Sequence, residues 1–393
     1  MTGEPGAETG TEIPEPRANP DLIGHEPAER LLRDAFDTGR LAHAWLLCGP
    51  RGIGKATLAY RFARYVLAAS GRAKTGHAHS SQAQSGLFGE EPAPPPAGLG
   101  TDLLHVPEDH PAFRRIAGGG HADLLGIERR LDDKGEKRRA EIVVDDIRPI
   151  AHFLSLTPAE GGWRVMVIDS ADDMNRNAAN ALLKVLEEPP SNALLLLVSH
   201  NPGRLLPTIR SRCRRLILSP LEDTALQSIL LRHHPDLTLD EVTALTRLAG
   251  GSIGRALGLA AEGGVGLYRE FIGLVSGLPD LDIKTLHAFG DKLARSGQDE
   301  AFRTFAELAQ GWLQRLMIRM ARQSGSEARE PGAISAEEGA LQERLMIHGR
   351  LDGWLAAWDH IDGILARAET AYLDKKQVAL SLFHALEKAA KPA

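Results

Sequence analysis

The sequence predicts an α/β domain, a parallel sheet flanked by helices with a phosphate-binding glycine loop, then a small helical lid and an all-α C-terminal domain. Three observations predict it. Ala44–Thr57 reads as a short apolar run that breaks at glycines and resumes as a helix. Trp163–Asp169 and Ala193–Val198 are continuous apolar runs, the pattern of strands buried on both faces of a parallel sheet. From about Tyr268 to the end, apolar residues recur at helical spacing.

Composition narrows the function classes. The 393 residues allow two or three domains with a substantial core. A net charge of −6 argues against a chain that coats nucleic acid by bulk charge, while leaving room for a local basic patch. The only cysteines, Cys48 and Cys213, make neither a disulfide framework nor a four-cysteine zinc site. No zinc is expected, and the expected compartment is the cytoplasm. The N-terminus lacks the basic start and apolar run of a signal peptide, and no stretch approaches membrane-spanning length.

Residues 1–20, rich in Gly, Glu, Pro and Thr, read as a disordered tail. Asp21–Gly39 reads as a turn and a helix carrying Leu31, Leu32, Ala35 and Phe36. Ala44–Cys48 is the first strand, and Leu58, Phe62 and Val66 recur every fourth residue behind the glycines. Strand, glycine turn and helix start are the setting of a P-loop, here Gly49, Pro50, Arg51, Gly52, Ile53, Gly54, Lys55, Ala56 and Thr57. The glycines let backbone N–H groups face phosphate oxygens, and Lys55 supplies a point charge for the outer phosphates. The position after Gly-Lys normally carries Ser or Thr, whose hydroxyl binds magnesium, but this chain has Ala56. Thr57 is turned about 100° further round the helix and substitutes poorly. Two outcomes stay open: a weak ATP–magnesium site, or a loop kept as a fold element.

A flexible insertion is expected over about 70–122. His77, His79, His105, His110 and His121 lie in it without metal-ligand spacing, so no metal site is expected. Asp123–Glu128 reads as a strand, 129–139 as a solvated charged loop, and Val143–Phe153 as one helix. Asp169 then ends an apolar strand, the Walker B pattern, which places a carboxylate at the ligand crevice to hold magnesium. Asn175–Glu188 is an amphipathic helix capped by Asn175 and ended by Pro189-Pro190. Ala193–Val198 ends at Ser199-His200-Asn201, and Leu216–Leu218 is expected as the last strand.

Asn180–Pro190 (Asn-Ala-Leu-Leu-Lys-Val-Leu-Glu-Glu-Pro-Pro), followed by Thr208–Cys213 (Thr-Ile-Arg-Ser-Arg-Cys), resembles the clamp-loader branch of the AAA+ ATPases. The resemblance covers nearly everything from Leu22 and is strongest from Val143 to Ser219. It implies an α/β P-loop AAA+ domain over 21–220, a helical lid over 221–265 and a helical collar over 266–393 through which subunits form a ring. Ile23-Gly24-His25 would lie over the adenine. Ser199 would touch an outer phosphate as "sensor 1", with a plain polar strand end as the alternative. Arg255 would approach nucleotide as "sensor 2". In Ser211-Arg212-Cys213, Arg212 would be an arginine finger pointing into a neighbour's ATP site.

Hydrolysing members usually place Glu after the Walker B Asp, but here it is Ser170, and Asp172 or Asp173 is poorly placed to replace it. A general base contributes about 10²–10⁴-fold. Motor subunits of the branch carry the P-loop hydroxyl, the Asp-Glu pair and a four-cysteine zinc module, and this chain has none of them. It fits a stationary subunit with little or no ATPase and no polymerase activity of its own. Implied partners are motor (gamma/tau) and delta subunits in a pentameric ring and, through it, the sliding clamp and primed DNA, met at backbone phosphates. The competing expectation is a self-sufficient ATPase, either a motor subunit or a DNA-remodelling enzyme.

Overall fold

A computed structural model describes residues 14–71, 103–131, 138–160, 162–295, 297–322, 333–348, 350–371 and 373–391. The expected tail over 1–13, the insertion over 72–102 with His77 and His79, and the loop over 132–137 lie outside the described residues. The chain divides into two compact units, Met1–Ala225 and Leu226–Ala393.

In the first unit, five strands form one parallel sheet: β1 (Ala44–Cys48), β2 (Leu124–Ile127), β3 (Arg164–Ile168), β4 (Ala193–Ser199) and β5 (Arg214–Ile217). Their order is β2-β3-β4-β1-β5. Ala44 pairs with Leu195 and Trp45 with Arg214, so β1 runs between β4 and β5. The helices are α1 (Glu26–Asp37), α2 (Lys55–Gly71), α3 (Pro111–Ala117), α4 (Val144–Ile147), α5 (Pro149–Ser155), α6 (Arg176–Glu187) and α7 (Pro207–Arg212). One sheet face packs Trp45, Leu47, Val165, Val167 and Leu196 against Leu58, Phe62 and Val66 of α2. The other packs Leu46, Met166, Ile168 and Leu197 against Leu182 and Val185 of α6 and Ile209 of α7. Burial on both faces is why β1, β3 and β4 read as apolar runs, whereas the edge strands β2 and β5 are partly exposed. The expected α/β architecture with a parallel sheet is the one observed.

Four expectations need correction. Residues 14–20 belong to the fold: Arg64 donates to the carbonyls of Arg17 (3.0 Å) and Asn19 (2.6 Å), and Arg61 donates to that of Pro20. These guanidiniums are buried in α2, partnered by backbone carbonyls and, for Arg61, by the buried Glu29 carboxylate. The second half of the expected insertion is also ordered. Leu104, Val106, Phe113 and Ile116 enter the α2-side core, and the Arg64 guanidinium lies 4.7 Å from the Phe113 ring centre. Val143–Phe153 is two helices, because Pro149 has no N–H to continue α4. The last strand starts at Arg214, ahead of its expected start.

The second unit is helical: the rest of α8 (Asp223–His233), then α9 (Leu239–Ala249), α10 (Ile253–Ala261), α11 (Gly264–Val275), α12 (Ile283–Leu293), α13 (Asp299–Arg322), α14 (Ala336–His348), α15 (Leu351–Ala371) and α16 (Lys375–Ala390). Phe271 lies between the rings of Phe305, Trp312 and Phe383 at 5.6–5.9 Å. Val378, Leu382, Phe383 and Leu386 are buried, as their spacing predicts. Glu338 of α14 is wholly buried and accepts from Arg315 of α13 (3.2 Å), Gln342 (3.0 Å) and the Ile334 N–H (2.7 Å). Arg315 also donates to the Tyr268 hydroxyl of α11 at 2.8 Å. No described helix is long and apolar enough to cross a membrane.

Candidate nucleotide site and arginine edge

The loop Gly49–Gly54 joins the carboxyl end of β1 to the N-terminus of α2, where backbone N–H groups and the helix dipole favour an anion. Two glycines are required there. A Cβ at Gly49 would lie 2.5 Å from the Leu218 carbonyl oxygen, and Gly54 holds φ +97 with Leu22 beside it. The Lys55 ammonium, buried at the mouth of the loop, donates to the carbonyls of Gly49 (2.8 Å) and Pro50. Burial lowers its pKa to about 8, against the pull of Asp169 and Asp172. The segment Ile23–His25 closes on the loop: the His25 ring donates from Nε2 to the Ile53 carbonyl at 2.6 Å.

The residues fit a phosphate better than they fit magnesium. Ala56 is partly buried and offers no oxygen, and Thr57 is buried in the first turn of α2. The expected magnesium carboxylate, Asp169, sits just beyond β3. Burial and the nearby charge of Glu128, at the end of β2, hold its carboxyl above the usual range.

Ser170 turns the chain after β3 with φ 60 and ψ 54, a left-handed conformation that costs a non-glycine residue about 1–3 kcal/mol. Its hydroxyl lies 3.2 Å from His200 Nε2. Burial and the Lys55 charge keep the imidazole below its ordinary pKa. The His200 imidazole is thus a polar group within the field of the loop lysine. The alternation of β4 explains this. Leu194, Leu196 and Val198 face α2, whereas Leu195 and Leu197 face α6. Ser199 follows the odd set, wholly buried, with its hydroxyl unpartnered among the described residues. That parity is readable in the sequence, while the expectation for Ser199 came from the family resemblance at this strand end.

Asp172, weighed above as a substitute base, is a backbone clamp. Its carboxylate accepts from the N–H groups of His200 (3.1 Å) and Asn201 (2.9 Å), pinning the end of β4. Burial pushes its carboxyl up, but those hydrogen bonds outweigh burial and hold it below the ordinary value. A depressed folded pKa gives stability that is present above the unfolded pKa, near 3.9, and lost as pH falls through the folded value. Asp172→Ala is expected to cost about 1–3 kcal/mol of unfolding free energy at pH 7, because two buried N–H groups lose their acceptor. Urea titrations of both proteins should show the difference shrinking below about pH 4.

At the other end of this unit, Ser211-Arg212-Cys213 closes α7. Cys213 is buried, and burial pushes its thiol up to about 12, so it is inert. The Ser211 hydroxyl donates to the Thr208 carbonyl at 3.1 Å. Arg212 keeps 36% of its side chain exposed and lies 2.9 Å from Glu187. Among its neighbours, Arg214 lies over the Trp45 ring at 4.7 Å, Arg210 is half-buried, and Arg215 is exposed. Arg255 lies on α10 in the second unit. Its guanidinium packs by Gly311 of α13, with Glu307 as the nearest opposing charge.

Residues 106–222 match the protein family described as DNA polymerase III, delta subunit. The chain is 36% identical over 211 residues to DNA polymerase III subunit delta' of Pseudomonas aeruginosa, covering 54% of this chain and 53% of that protein. It is 29% identical over 251 residues to subunit tau of Escherichia coli, covering 63% of this chain and 33% of that protein. The chain thus spans about half, or less, of the length of these relatives. Among solved structures, a gamma-subunit-related protein of Thermotoga maritima aligns with 16% identity and a TM-score of 0.38, over 93% of this chain and 99% of that one. The RuvB branch migration motor of the same organism aligns with 15% identity and a TM-score of 0.38, over 80% and 87%.

Proposed function

We propose that this chain is a clamp-loader subunit of the delta-prime type, resting on the delta-family domain over 106–222. In this reading it lends Arg212 to the ATP site of a neighbouring motor subunit and turns over little or no ATP itself. The observation that carries the reading is a contrast within one unit. Ala56 and Ser170 stand where a hydrolysing site needs a magnesium hydroxyl and a glutamate, while an arginine stands half-exposed at the end of α7. In the neighbour's site, water attacks the γ-phosphorus and the bond to the β–γ bridging oxygen breaks. A guanidinium supplied in trans offsets the charge on the transferring phosphoryl oxygens. The proposed setting is a pentameric ring with motor and delta subunits that loads a sliding clamp onto primed DNA, with the helices after residue 265 as its collar.

The Ser170–His200 contact favours a second reading. An imidazole kept neutral within the field of Lys55 is a candidate base for a weak ATPase of the chain's own. Steady-state ATP hydrolysis by the purified chain, with primed DNA and a Lys55→Ala control, separates the two. The expected result is no turnover above the control. Turnover that needs Lys55 would favour the second reading, and His200→Gln should then abolish it.

A further inference from the structure

The contacts of Arg212 assign a role to a residue outside the Ser-Arg-Cys triplet. Glu187 is the last residue of α6, and Arg212 is the last of α7. Glu187 Oε1 lies 2.9 Å from Arg212 Nη2 in an ion pair, and the Thr208 carbonyl accepts from Nη1 at 3.1 Å. The two helix ends are fixed to each other, because Leu182 and Leu186 of α6 share a buried cluster with Ile209 of α7. Pro189-Pro190 stops α6 immediately beyond Glu187 and Glu188, so the carboxylate emerges at a defined place. The guanidinium is thus gripped from two helices. A guanidinium has five N–H groups, and these two contacts leave others for a phosphate.

We propose that Glu187 is the positioning residue of the trans arginine, fixing the direction in which Arg212 presents its remaining N–H groups to the neighbour's nucleotide. The proposal rests on the finger reading above. A free arginine side chain samples many rotamers and must give them up in the transition state, whereas one already held gives up fewer. Water screens the half-exposed carboxylate from charges beyond the guanidinium, while its close contact with Nη2 persists. Glu187 therefore helps by aim more than it hinders by charge.

The test uses the reconstituted loader with wild-type chain, Glu187→Ala, Glu187→Gln and Arg212→Ala, reading ATP hydrolysis at the site this chain faces. Glu187→Ala is expected to lower kcat about three- to fivefold by freeing the side chain, with KM for ATP nearly unchanged. Glu187→Gln should restore part of the rate, since its amide oxygen can keep a polar contact with Nη2 from the same place. A Glu187→Ala rate equal to wild type, with Arg212→Ala depressed, overturns the positioning role and leaves the finger standing. A Glu187→Ala rate above wild type also overturns it, because the carboxylate would then be a restraint on the finger. An Arg212→Ala rate equal to wild type removes the finger reading itself.

Discussion

Arg212→Ala is expected to lower ATP hydrolysis at the neighbouring site by about 10³-fold or more, the range seen when arginine fingers are removed from nucleotide hydrolases. The loss should appear in kcat, because a finger acts on charge that develops in the transition state. Arg212→Lys should recover little of it. A lysine is a point charge on a flexible stem, without the planar fork that grips two phosphoryl oxygens. Assembly and folding should survive, since the side chain is partly exposed and its pairing with Glu187 is of the kind worth about 0–1 kcal/mol. The rate should be read in a ring where the P-loop facing this chain is the only one intact. Other sites then cannot mask the loss. A ring that hydrolyses ATP at the wild-type rate with Arg212→Ala would leave Arg212 as a surface arginine, and the chain would need another role.

Much of the α/β unit was legible because its central strands are buried on both faces. Val165–Ile168 and Ala193–Val198 tolerate no polar residue, so continuous apolar runs mark them. The P-loop is legible because close backbone approach demands glycine at Gly49 and Gly54. The cap at Asn175 is legible too: its side chain accepts from the Ala178 N–H at 3.0 Å. What escaped the sequence depends on contacts between distant segments. Residues 14–20 look disordered by composition, and only the folding of α2 brings Arg61 and Arg64 to their carbonyls. Asp172 reads as a spare acid until β4 places two N–H groups against it. Glu128 becomes a neighbour of Asp169 only because β2 and β3 pair in parallel and end together. The site is thus half legible. The glycines and Lys55 announce phosphate, whereas the Ser170–His200 contact joins residues 30 apart at the ends of adjacent strands.

Glu338→Ala is expected to destabilise the helical unit by about 3–5 kcal/mol, the cost of breaking a buried ion pair from one side. Nothing in Ser335-Ala-Glu-Glu-Gly339 marks this residue, and its neighbour Glu337 is exposed. The difference between the two lies in what each faces. Glu338 is the shared acceptor for Arg315, Gln342 and the Ile334 N–H, and so joins α14 to α13. Among the described residues, without it the Arg315 guanidinium keeps the Tyr268 hydroxyl and ring, both neutral, and an uncompensated charge remains in the helical core. Glu337→Ala should stay within about 0.5 kcal/mol, as surface changes usually do. The double variant Arg315→Met with Glu338→Leu should recover most of the loss, because removing both charges removes the desolvation cost along with the attraction. Urea titration followed by tryptophan emission reads this unit when Trp45 and Trp163 of the first unit are replaced by Phe in every protein compared, since Trp312 and Trp354 are wholly buried within the helical unit. Equal midpoints for Glu337→Ala and Glu338→Ala would mean that the Arg315–Glu338 contact adds nothing that solvent does not replace. The docking of α14 on α13 would then rest on apolar packing alone.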